Sequence, residues 1–102
     1  MKITLVKRIY EIYENDNMTY PTQVGKFIKS IKSSFIQPIP NTGIIFKNEN
    51  FFIEEVVQDA DSNVMVLFED TQFSCYDINE KLPKLKEKLK VKGWIWEDGN
   101  NI

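Results

Sequence analysis

The chain has no histidine, one cysteine (Cys75) and one arginine (Arg8). Each scarcity closes a route. Without histidine the commonest general base is gone, and so are the imidazole ligands of zinc. A single cysteine forms neither an intrachain disulfide nor a thiolate zinc site, and it fits a reducing compartment. The G-x-S-x-G, P-loop and G-x-G-x-x-G patterns are missing. Adjacent carboxylates at Glu54/Glu55 and Glu69/Asp70 would point to opposite faces of a strand rather than share a proton. No apolar run reaches membrane-spanning length. Near the N-terminus, Lys7 and Arg8 interrupt the apolar residues too early for a signal peptide. These features point to a cytoplasmic, non-catalytic protein with no metal, no cofactor and no membrane partner.

What is present is an ordinary globular mix. In 102 residues, 42% are hydrophobic and 27% charged, with seven Phe, four Tyr and two Trp. That many rings argue for a packed core rather than disorder, and the length argues for one domain spanning 1–102. Net charge is −2, but it is unevenly spread. Residues 48–80 hold nine acids and no Lys or Arg, whereas 81–92 hold six Lys and only Glu87 as an acid.

Hydrophobic spacing predicts an α+β fold. Over 5–15, Leu5, Val6, Ile9, Tyr10, Ile12 and Tyr13 fall on one side of a helical wheel, with Thr4 as N-cap. Over 22–35, Val24, Phe27, Ile28, Ile31 and Phe35 repeat the stripe, with Pro21 in the first turn and Gly25 as an interior cost. From Gly43 the period becomes two. GIIFK, FFIEEVV, VMVLFE and QFSCYD read as a four-stranded antiparallel meander joined by KNEN, DADSN and DT. Cys75 then reads as a small core residue beside Phe73. A turn at 77–81 precedes a third helix from about Pro83 to Gly93. The segment WIW begins a final strand, with Trp94 and Trp96 on one face.

Three sites are weighed on this frame. Asp59, Asp61, Asn63 and Asp70 match the oxygen spacing of an EF-hand loop. Position 6 of that loop is Val64 where glycine is needed, and the flanks alternate like strands, so DADSN reads as a hairpin tip. The acidic positions Glu49, Glu54, Asp59, Asp61, Glu69 and Asp70 would lie on the sheet's face and edge, where they would meet a basic protein partner. An inhibitor or regulator carried by a mobile element would have this size and composition. The alternative is a winged-helix-like nucleic-acid binder using Lys26, Lys29 and Lys32, with Trp94 and Trp96 as stacking platforms. The pI of 5.1 and the single arginine weigh against it.

The segments LVKRIYEIYENDN, TQVGKFIKSI and FIQPIPNTG resemble the first two helices and following turn of OST-HTH (LOTUS) domains. Those are small winged helices that bind RNA or a helicase partner. The shared features are the helix spacing, V-G-x-F-I at 24–28 and Gly43, over less than half of the chain. That family follows the glycine with another helix, whereas IIFKNENFFI here runs directly into strands.

Overall fold

The computed structural model describes residues 2–15, 18–32, 43–46, 49–58 and 63–99. The two expected N-terminal helices are strands. β1 (Lys2–Asn15) and β2 (Met18–Lys32) form one long antiparallel hairpin, from Lys2↔Lys32 to Asn15↔Met18. β3 (Gly43–Phe46), β4 (Glu49–Gln58), β5 (Val64–Phe68) and β6 (Thr71–Ser74) follow, then α1 (Ile78–Val91) and β7 (Ile95–Asp98). The strand order is β3-β4-β5-β1-β2-β7, with β6 also paired to β1. The sheet is mixed: β5 and β6 run parallel to β1, and every other pairing is antiparallel.

The helical reading fails because β1 is a central strand. Its odd residues Ile3, Leu5 and Ile9 are buried, and so is Val6 on the other face. A strand that buries both faces loses its simple alternation. Residues 5, 6 and 9 then imitate a helical stripe. The β-branched and aromatic content of both segments favours the pleated alternative. Pro21 and Gly25 also suit β2 better than a helix interior. β7 reaches only Gly25–Ile28, so β2 is an edge at Pro21, where proline is tolerated. The helix-based resemblance to winged-helix domains falls with the helices.

The expected four-stranded antiparallel meander is not formed; its strands join a mixed sheet instead. β3–β4 and β4–β5 are antiparallel neighbours, with Phe46 opposite Glu49 and Gln58 opposite Val64. Two strands therefore flank DADSN, not the helices of an EF-hand, although residues 59–62 lie outside the described set. β5 and β6 do not form a hairpin. Both lie on the same side of β1, with Val6↔Leu67 and Ile9↔Thr71 as successive rungs. They are one line of chain with one extra residue at Glu69–Asp70, a bulge in the sense of two residues opposing one. β4 is irregular at the same level, between Ile53 and Glu55. The Glu69 N–H donates to the Phe52 carbonyl at 2.9 Å, which keeps the two irregularities joined.

α1 packs on the face that carries Ile3, Leu5, Ile9, Phe27, Ile53, Val64, Val66 and Phe68, which with Leu89 and Trp94 form the core. The helix starts at Ile78, not near Pro83, and Pro83 sits inside it. Proline there leaves the Asn79 carbonyl without its usual donor. Ile78 is buried against the core, and that burial favours an early start over a clean one. The predicted end is correct. Gly93 has φ +89°, its N–H donates to the Lys90 carbonyl, and the Trp94 N–H donates to the Leu89 carbonyl, both at 3.0 Å. That is a Schellman cap, closed by the usual apolar contact, here between Leu89 and Trp94. β7 then pairs with β2, from Ile28↔Ile95 to Gly25↔Asp98.

Candidate interaction surface

Most of the expected site residues hold the fold. Arg8 projects from β1 on the face opposite α1. Its Nε donates to Asp70 at 2.8 Å and its Nη2 reaches Glu54 at 3.3 Å. The lone arginine thus ties together the two sheet irregularities, one carboxylate from each. Burial alone would lower its pKa. The charge of Asp70 and the hydrogen bond to it more than reverse this, so the pKa stands above its ordinary value. Its stabilising charge is therefore complete below the ordinary arginine pKa and fades only as pH climbs through the still higher folded value. Of the other acidic positions, Glu69 is exposed, only the backbone of Glu49 is described, and Asp59 and Asp61 lie outside the described residues.

The lysines do not form one basic row. Strand alternation puts Lys26 and Lys29 on opposite faces. Lys26 is only 8% exposed and faces Glu97 across the β2–β7 pair at 3.7 Å. The Lys29 ammonium donates to the Lys92 carbonyl at the C-terminus of α1, where a cation also meets the helix dipole. Lys32 lies opposite Lys2 in the strand register. Trp94 is buried. Trp96 stacks on Phe27 with ring centroids 4.8 Å apart, receives Lys86 over its ring at 4.6 Å, and donates its indole N–H to Asp98 at 2.6 Å. These rings are packed, not presented.

What is presented lies at the far end of the β1–β2 hairpin, beside the turn from which α1 starts. All four tyrosines gather there. Tyr13 and Tyr20 pair directly across the two strands, and each is 48% exposed. Tyr10 lies on the opposite face between Gln23 and Gln72. Tyr76, 92% exposed, sits in the turn that leaves β6. That turn is fixed by three hydrogen bonds: Cys75 N–H to the Ile12 carbonyl, Asp77 N–H to the Ser74 carbonyl, and Tyr76 N–H to Ser74 Oγ. Ile12, Ser74, Cys75 and Tyr76 line a depression of about 190 Å³ beside it. Cys75 is accordingly half-buried in a turn, not a core residue on a strand. A second depression, about 270 Å³, lies at the other end of the sheet along Lys2, Thr4, Val57, Asn63, Val64 and Met65. Both fall below the roughly 300 Å³ of a small-molecule site. Among the described residues, no three His, Cys, Asp or Glu side chains stand close enough to share a metal ion. None of the helices so described is long and apolar enough to cross a membrane.

Two expectations attach to the arm. Glu11 lies two residues from Tyr13 on the same face of β1, and its carboxylate, as hydrogen-bond acceptor and as charge, holds the Tyr13 pKa above its ordinary value. Ultraviolet titration should show a late phenolate transition that Tyr13→Phe removes and Glu11→Gln moves to lower pH. An unchanged titration in Glu11→Gln would deny the contact. Further in, Gln23 Nε2 is buried and finds no acceptor among the described residues. An orphaned buried donor costs about 1–3 kcal/mol, so Gln23→Met should stabilise the fold by about 1 kcal/mol in thermal melts. A loss instead of a gain would mean that this amide makes a bond which Met cannot replace.

No protein-family model, no curated protein and no solved structure matches the chain.

Proposed function

We propose that this chain is a small, non-catalytic protein-binding protein that engages its partner through the outer half of the β1–β2 hairpin and the turn carrying Tyr76. The observation that supports this is the gathering of tyrosines. Phe27, Phe68 and Trp94 are buried in the core and Phe52 on β4 is 45% exposed, while the four tyrosines sit toward one end of the sheet and three of them are exposed. Single exposed rings are ordinary on any surface; a cluster of one amphipathic type at one end is not. Tyrosine offers large contact area and a polar tip at low conformational cost, and it is enriched at protein interfaces for that reason. The acidic strands are a weaker choice of surface, because Glu54 and Asp70 already neutralise Arg8.

Site-directed photocrosslinking tests the reading in cells. A benzophenone side chain in place of Tyr13, Tyr20 or Tyr76 should give one discrete protein adduct, while the same group in place of Glu55 or Glu69 should give none. Adducts from Glu55 or Glu69 alone would return the interface to the acidic strands. No adduct from any position would sink the protein-binding reading.

A further inference from the structure

We infer that the arm takes an arginine-bearing segment of another protein, with guanidinium groups laid on the exposed tyrosine rings and paired to the arm's carboxylates. This rests on the protein-binding reading above and adds the partner's chemistry. Charge is the first ground. Among the described residues of the arm, Glu11 is acidic and none over 9–15 or 18–25 is Lys or Arg. Geometry is the second. Tyr13 and Tyr20 face each other across the hairpin, and Glu11 shares the face of Tyr13 two residues along β1. A cation placed over that pair meets two ring faces and a carboxylate in one patch. Tyr76 continues the pattern, with Asp77 and Glu80 close by in sequence. Those two carboxylates pair with Lys81 and Lys84 at 3.6 and 3.4 Å, in exposed contacts that exchange partners at little cost.

The same chemistry turns away other partners. Phosphates of nucleic acid and anionic lipid head groups are repelled by this end of the molecule. A second copy offers the lysines of α1 but no arginine to spare, because its Arg8 is already paired with Asp70 and Glu54. Arginine fits better than lysine because its planar group both stacks on a ring and bonds a carboxylate in two places.

The test is a titration of ¹⁵N-labelled full-length chain with three peptides of equal length, alternating glycine with arginine, lysine or citrulline. The arginine peptide should move the amides of residues 10–13, 20–23 and 75–77. The lysine peptide should bind several-fold more weakly, and neutral citrulline should not bind. The double variant Tyr13→Ala/Tyr20→Ala should lose about tenfold in affinity, and Tyr13→Phe/Tyr20→Phe should retain it. Shifts centred on Glu54–Asp70 would overturn the inference. So would equal binding of arginine and lysine peptides that ignores the tyrosine variants, or no binding at all. Amide shifts that grow with protein concentration alone would make a second copy the occupant. If the arm crosslinks a protein in cells but ignores the arginine peptide, the inference fails while the protein-binding reading stands. If neither is seen, both fail.

Discussion

Gly25→Ala is expected to lower stability by about 3 kcal/mol, the upper range for forcing extra volume into a packed site. In a domain of this size that is a drop of roughly 12–24 °C in melting temperature. A methyl group at Gly25 would lie 2.6 Å from the Glu97 carbonyl oxygen and closer still to Cζ2 and Cη2 of Trp96. The obstacle is therefore partly backbone, which does not swing aside. Gly25 adjoins the irregularity at Val24, where the β1–β2 register shifts between Ile9 and Tyr10. The Val24 carbonyl accepts the Gly99 N–H at 3.0 Å, so β7 is anchored just beyond the same point. Alanine must push β7 off β2 or tip Trp96 away from Phe27. Adding Trp96→Leu should recover part of the loss, and the remainder measures the clash with Glu97. Full stability in Gly25→Ala would mean that β7 does not pack there as described.

The second large effect belongs to Arg8. Arg8→Met should cost about 2 kcal/mol, because it leaves Asp70, largely shielded from water, without its cation. The value is set below that of a fully buried pair because Glu54 is half exposed and can turn to solvent. A double-mutant cycle should find stronger coupling of Arg8 to Asp70 than to Glu54. Chemical denaturation of Arg8→Met, Asp70→Asn, Glu54→Gln and the two double variants that contain Arg8→Met reads both couplings. Zero coupling would free both carboxylates for a partner and revive the acidic face as an interface.

Local signals in the sequence located elements better than they typed them. The four strands from Gly43 to Ser74 were legible as short β-branched and aromatic runs separated by turn residues, although β5 buries Val66, Leu67 and Phe68 in succession and β4 breaks its alternation between Ile53 and Glu55. The end of α1 was legible because Gly93 is the one residue there suited to φ +89°. β1 and β2 were misread for one reason. Val6 is buried beside Leu5, and the pattern of a strand covered on two faces has no period of its own. Pro21 and Gly25, each awkward in a helix, were the available warnings. The partners of β1 were out of reach. Nothing local to Ile3 or Ile9 announces that Val64 and Thr71 will lie beside them. The site shows the same divide. Arg8, Asp70 and Glu54 are ion-pair partners only because two irregularities fall at one level of the sheet. The tyrosines could have been counted, but Tyr76 joins Tyr13 and Tyr20 through the pairing of β6 with β1, extended by the bond from Cys75 to Ile12.

The parallel pairing of β1 has a consequence in time. Its neighbour on one side, β2, is adjacent in sequence and can zip up within microseconds of collapse. Its neighbours on the other side begin with Val64, and the strand that flanks β2 begins only at Ile95. The contact order is therefore high, and such chains fold slowly because distant ends must meet before their pairing is rewarded. On the ribosome, the first hairpin must wait with its outer edges bare until most of the chain has been made. In that interval it is an open template for another strand, and the acidic charges along its outer half keep nascent copies apart.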